Sequence, residues 1–165
     1  MNLIHILRRL SVAALPILLL AACGGAENVP PDLPGLDTEA AVVTAASDTH
    51  SGNGDGLAYW ELAFPEDAPV PRENPWRPLP LSGNLTILAY GISNGAFSNG
   101  PYLTGEDGNC LLPTVEHGYY YFEDRHSEST DPHSDHGLLD RASFNLTLAL
   151  YDTDSHTLCC CEFDT

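Results

Sequence analysis

Several groups of residues in this chain have side chains able to do chemistry, and each group implies a different kind. The stretch 124–141 holds His126, Asp131, His133, Asp135, His136 and Asp140. Neutral imidazoles with carboxylates suit Zn²⁺ or another transition metal, and oxygen ligands of this kind also suit Ca²⁺. His133 and His136 are three apart, but no second pair is spaced to complete a tetrahedron. A solvated polar loop accounts for the same residues without a metal. Loops of this length are uncommon in compact domains and are usually either functional or disordered.

Gly91-Ile92-Ser93-Asn94-Gly95 fits the pattern that places a nucleophilic serine on a sharp strand-to-helix turn, with acid and histidine later in the chain. Asp124 or Asp140, then His156, stand in that order. The context argues against catalysis. The next residues, Ala96-Phe97-Ser98-Asn99-Gly100-Pro101, are turn formers, and Ser-Asn-Gly is itself a good hairpin turn. A non-enzymatic domain is the expectation.

Asn53-Gly54-Asp55-Gly56 resembles the middle of an EF-hand calcium loop. Ser51 stands where the first Asp belongs, however, and Leu62 where the bidentate Glu belongs. A flexible hinge is the simpler expectation. Cys110, Cys159, Cys160 and Cys161 lack the Cys-x-x-Cys spacing of a redox pair. On a strand, Cys159 and Cys161 share one face and Cys160 takes the other. A bridge from Cys110 to Cys159 or Cys161 is one arrangement, and packed free thiols are the other.

These groups must be held by elements, and the hydrophobic pattern names most of them. Phe144, Leu146, Leu148 and Leu150 alternate with Asn145, Thr147, Ala149 and Tyr151, the period of a half-buried strand. A turn cluster at 152–156 and an apolar run at 157–163 complete a β-hairpin. Residues 85–92 are apolar on both faces, which suits a central strand covered on both sides. Residues 57–64 place Ala58, Trp60, Leu62 and Phe64 on one face, and 119–122 are aromatic enough for a further core segment. No stretch after residue 57 has a convincing helical period. The fold class expected is all-β, a small antiparallel β-sandwich or barrel. Six prolines in 65–80 forbid a central strand there, and Trp76 within them either faces a peptide or glycan or pins the segment to the core.

Aromatic placement marks a boundary. All 14 Phe, Trp and Tyr residues lie from Tyr59 to Phe163, and 24–58 is rich in Gly and Pro. Without large apolar groups a segment cannot offset the entropy of ordering, so 23–56 reads as a flexible tether and 57–165 as one domain. Residues 38–46 could form a short helix within that tether.

The start of the chain carries an address. Arg8 and Arg9 precede an apolar run from Leu10 to Leu20, with no acid before Cys23. At 1.5 Å per residue the run is far shorter than a ~30 Å hydrocarbon core, and the layout is that of a signal peptide. Leu20-Ala21-Ala22-Cys23 resembles the lipobox of bacterial lipoproteins, a likeness that covers only the first 23 residues. It implies cleavage of 1–22 and a diacylglyceryl group on Cys23. It also implies that Gly24 permits delivery to an outer membrane, or retention on the outer face of a single one. Two or more acyl chains hold a protein on a bilayer stably.

With 1–22 removed, four arginines face 23 acids and no lysine, a net charge of −19. Such a surface repels phosphate backbones, so nucleic acid is not an expected partner. The membrane, reached through lipid, is one expected partner. Another is an envelope protein, a cationic peptide or a glycan. The overall expectation is a lipid-anchored envelope protein whose acidic β-domain binds or scaffolds, with metal binding by the 124–141 loop as the alternative.

Overall fold

A computed structural model describes residues 29–165. Cys23, the signal segment 1–22 and residues 23–28 lie outside the described residues. The described chain is mostly β. Eight strands run in order as β1 (Val42–Asp48), β2 (Gly56–Ala63), β3 (Arg77–Pro78), β4 (Ile92–Ser93), β5 (Ser98–Asn99), β6 (Gly118–Asp124), β7 (Asn145–Asp152) and β8 (Thr157–Asp164). One helix, α1 (Gly83–Tyr90), lies between β3 and β4. Six strands form an antiparallel sheet in the order β1-β2-β8-β7-β6-β3, and β4 and β5 form a separate two-stranded hairpin. The large sheet is open and does not close into a barrel.

Period-2 alternation divides the side chains of the sheet between two cores. On one face Tyr59, Tyr120, Leu146, Leu148, Leu150, Cys159 and Cys161 meet Leu85, Leu88 and Ala89 of α1, together with Leu103, Leu112 and Leu138 from loops. On the other, Ala58, Trp60, Leu62, Tyr121, Tyr151 and Cys160 meet Leu33, Leu36 and Trp76. The sheet is therefore a middle layer. The alternation expected for 57–64 holds, as do the opposed faces of the three consecutive cysteines and the hairpin of β7 with β8.

Four expectations are overturned. Residues 85–92 are not a central strand, since 83–90 form α1. Ser82 caps this helix by accepting from Leu85 N–H at 3.2 Å, and Gly91 stops it at φ 72°. A side chain at Gly91 would meet Pro101 N at 2.5 Å, so only glycine fits there. A short run that is apolar throughout satisfies both periods, and Leu85, Leu88 and Ala89 have the i, i+3, i+4 spacing of a helix face.

β7 is not half-buried. Thr147 is 2 % exposed, and Ala149 and Tyr151 are fully buried, because Trp76 and the N-terminal segment cover the face that looked more polar.

Residues 29–56 are not a tether. Leu33 and Leu36 are buried, and β1 pairs with β2 along its length, with a bulge between Val43 and Ala45. The helix considered for 38–46 is a single 3-10 turn at Thr38–Ala40, capped by Asp37, and then strand.

The 53–56 stretch, expected as a flexible hinge, lies in the hairpin connection from β1 to β2, where Ser51 N–H donates to Asp55 O at 2.9 Å. Leu62, at the position of the bidentate Glu of a calcium loop, is fully buried in the second core.

Candidate functional site

The 124–141 loop leaves the end of β6 and returns to β7, and its two ends are tied together. Asp124, the last residue of β6, is 5 % exposed, and Arg141 faces it with Nη2 2.9 Å from Oδ2 and Nη1 3.3 Å from Oδ1. The neighbouring backbone closes the same neck. Asp124 N–H donates to Pro132 O at 2.7 Å, and Arg125 N–H to Asn145 O at 2.7 Å. Gly137 takes a left-handed φ of 73° and starts a second 3-10 turn, Leu138–Asp140, whose Leu138 is buried beside α1. The loop is thus docked on the sheet rather than splayed from it.

Most of the polar residues that suggested a metal are engaged within the protein. His126 accepts from Glu128 N–H at 3.2 Å through Nδ1, which leaves Nε2 as the N–H facing Ser143 Oγ at 3.0 Å. His133 Nδ1 lies 2.8 Å from Phe122 O, and its ring meets Tyr121 edge-on at 5.8 Å. Asp135 accepts from Ser82 Oγ–H, and its carbonyl accepts from Asn84 Nδ2–H at 2.9 Å, so the loop holds the first turn of α1. Asp131 accepts from His133 N–H at 3.0 Å, a local turn bond. His136 and Asp140 are exposed.

Glu128, Ser129, Asp131, Ser134, His136 and Asp140 line a cleft of roughly 410 Å³ together with the Arg141 and Asp124 pair. Among the described residues no three His, Cys, Asp or Glu side chains converge as a metal site requires. His126 and His133 do not join His136 because each is held by a different backbone segment.

A second polar cluster lies across the open end of the sheet. His50 Nδ1 is 2.7 Å from Asp48 Oδ1, and Nε2 is 3.1 Å from Asp164 Oδ2. Arg125 extends the row, with Nη2 3.8 Å from Asp164 Oδ1, Nε donating to Asn145 Oδ1 at 2.9 Å and Nη1 donating to Thr147 Oγ1. Burial opposes the charged imidazole of His50, but the bonds to Asp48 and Asp164 outweigh it and raise its pKa. The same contacts, led by the His50 backbone N–H, hold the Asp48 carboxyl below its ordinary value.

Other sequence candidates are placed apart. Ser93 lies exposed on the β4–β5 hairpin, whose turn is closed by Phe97 N–H donating to Asn94 Oδ1 at 2.9 Å. The shallow cavity beside it is lined by Tyr90, Gly91, Ile92, Ser98, Gly100 and Pro101, with no histidine or carboxylate. The motif follows a helix and not a strand, so its turn lacks the setting of a nucleophile.

Cys110 is exposed and Cys159, Cys160 and Cys161 are buried, all as free thiols, so the bridge from Cys110 to β8 is not formed. Burial pushes the Cys159 thiol up to about 11 and raises those of Cys160 and Cys161 as well, which keeps all three in the unreactive thiol form. Trp76 is 4 % exposed and donates from Nε1 to Pro34 O at 2.7 Å, so it pins the N-terminal segment.

The pairing of Asp124 with Arg141 and the row from Asp48 to Arg125 were not read from the sequence. The first had a signal, namely opposite charges at the two ends of a polar loop flanked by strand patterns. The second had none, because it joins residues more than a hundred positions apart. No protein-family model matches the chain, and no curated protein or solved structure matches it.

Proposed function

We propose that the chain is an exported lipoprotein, anchored through lipid on Cys23, whose acidic β-domain binds a partner in the cell envelope without catalysing a reaction. The observation that carries this reading is the run Leu20-Ala21-Ala22-Cys23 after a short apolar segment with Arg8 and Arg9 before it. The geometry adds a constraint. Leu33 is buried in the second core, so only nine residues lie between Cys23 and a fixed point of the domain. At ~3.6 Å per extended residue, the ten steps from Cys23 keep Leu33 within about 36 Å of the lipid-bearing residue. Ser93 has no histidine or carboxylate in the cavity beside it. In the 124–141 cleft Ser129 Oγ–H donates to Asp131 O while Ser134 Oγ accepts from His136 N–H, so neither hydroxyl is paired with the His136 ring as a nucleophile with its base would be. A metal-binding role for the loop has less support, because His126 and His133 already have partners within the protein. The net charge of −19 favours cationic or neutral partners.

The test is metabolic labelling of the full chain with a fatty acid, in parallel with Cys23→Ser. Label and membrane fractionation are expected for the native chain, and loss of both for the variant. A variant that keeps its label, or a native chain that never acquires one, sinks the anchor.

A further inference from the structure

The two edges of the large sheet are finished differently. At one, β3 is two residues long and includes Pro78, which has no N–H to offer an incoming strand. At the other, β1 runs for seven residues, every one of them exposed. Natural sheets blunt such an edge with lysine, proline, a bulge or a covering loop. β1 has no proline, no Lys or Arg, and no charge of any kind before Asp48. Its bulge, between Val43 and Ala45, leaves the second half in regular register with Ala58 to Glu61 of β2.

The backbone of that second half is oriented for pairing. Thr49 N–H donates to Leu57 O at 3.1 Å, which makes Thr49 and Leu57 a hydrogen-bonded pair. By the alternation of an antiparallel ladder, Ala46 opposite Trp60 and Asp48 opposite Ala58 are non-hydrogen-bonded pairs. The N–H and C=O groups of Ala46 and Asp48 therefore point away from β2, at the two-residue spacing an added strand needs.

Charge selects what would bind there. No Lys or Arg occurs between Arg9 and Arg72. Asp37 and Glu39 stand exposed just before β1, and Asp48 and Asp55 lie at its far end. Glu61, on the adjacent strand, accepts from Thr44 Oγ–H at 2.8 Å. His50, the one basic side chain in this stretch, is held between Asp48 and Asp164. A second copy of the edge would bring acid against acid, which destabilises a strand pair.

We propose that the free edge of β1 takes an extended, lysine- or arginine-bearing segment of a partner protein as a seventh strand of the sheet. This rests on the binding role given to the domain above. Main-chain bonds to Ala46 and Asp48 supply the adhesion, and the acids at the two ends of the edge supply the choice of partner.

The test uses the full chain, purified in a neutral detergent, and a fluorescent, amidated peptide of alternating Val and Thr with Lys at both ends, about eight residues long. Two control peptides are a Glu-ended twin and a Lys-ended twin interrupted by proline. Saturable binding of the first is expected, at least about tenfold tighter than either control, with amide exchange slowed across Val42–Asp48. Ala46→Pro removes an outward N–H without breaking a bond to β2, and Ala46→Lys keeps the backbone but sets a cation on the edge. Each is expected to weaken binding about tenfold or more; should the proline variant fail to fold, the lysine variant decides.

The proposal is overturned if the Lys-ended peptide does not bind, or if its proline twin binds equally well, the mark of diffuse attraction. Protection outside β1, or unchanged binding by the folded variants, would overturn it too. A sedimenting dimer abolished by Ala46→Lys, with no peptide uptake, would assign the edge to a second copy instead. The assay does not depend on lipid, so a failure of fatty-acid labelling and a failure of peptide binding are separate results.

Discussion

Arg141 Nη2 lies 2.9 Å from Asp124 Oδ2 in a pair almost shut off from solvent, where the chain leaves the sheet at β6 and comes back toward β7. Through this contact the 124–141 segment is a closed loop with its own neck. Removing one partner from such a pair leaves a buried charge uncompensated, which costs about 3–5 kcal/mol. Arg141→Met is therefore expected to lower the melting temperature by on the order of 10 °C and to make the loop a preferred site for limited proteolysis. Replacing both residues with apolar ones should recover most of that loss. A single Arg141→Met variant that melts with the native protein would remove the neck from the account of stability.

Burial of both faces of β7 is open to a paired substitution. Leu148 and Ala149 are both fully buried, yet they point into different cores. Leu148→Asp and Ala149→Asp should each destabilise by several kcal/mol, because neither carboxylate can be hydrated. Thermal melts followed by circular dichroism measure both. If Ala149→Asp were tolerated, Trp76 and the N-terminal segment would not cover that face.

The N-terminal segment carries its own prediction. Leu33→Ala is expected to cost about 2–5 kcal/mol, as deletion of a buried side chain in a packed core does. Trp76→Phe, which keeps an aromatic ring but loses the donor to Pro34 O and part of the indole's packed volume, should cost at least roughly 1 kcal/mol. Denaturant titrations of the two variants test this, and a neutral Leu33→Ala would return the segment to the status of a tether.

Acidity should strengthen the contact between His50, Asp48 and Asp164. Their bonds raise the pKa of His50 above its ordinary 6.5 in the folded protein against the opposing effect of burial. The charged pairing is therefore fully present below 6.5, the value that applies to the unfolded chain, and its stabilisation is lost as pH rises through the higher folded value. On the acid side, Asp48 stays ionised below its ordinary range, so the contact persists until pH falls through its depressed value. Melting temperatures at pH 5.5 and 8.5 should differ more for the native chain than for His50→Gln. Using the difference between the two proteins removes the general rise in self-repulsion that a chain this acidic undergoes with pH. Equal pH dependence in both would show that the contact adds nothing to stability.

Local sequence determined what local geometry can encode. The alternation from Ala58 to Phe64 and from Phe144 to Leu150, the turn between β7 and β8, and the opposite faces of Cys159 and Cys160 follow from a two-residue period that no distant contact can alter. Tertiary structure decided the matters that depend on who covers whom. Leu85, Leu88 and Ala89 fit a strand or a helix equally until the cap at Ser82, the stop at Gly91 and the core beneath choose the helix. Leu33 and Leu36 are two apolar residues in a proline-rich stretch, and only the assembled sheet face and Trp76, all distant in the chain, give them a surface to bury against. The loop residues His126, His133 and Asp135 were legible as a polar cluster, but their partners, Ser143, the Phe122 carbonyl and Ser82, come from three other elements. Composition can say that imidazoles and carboxylates are present. Whether they converge on a common point depends on backbone segments that meet only after the sheet has formed.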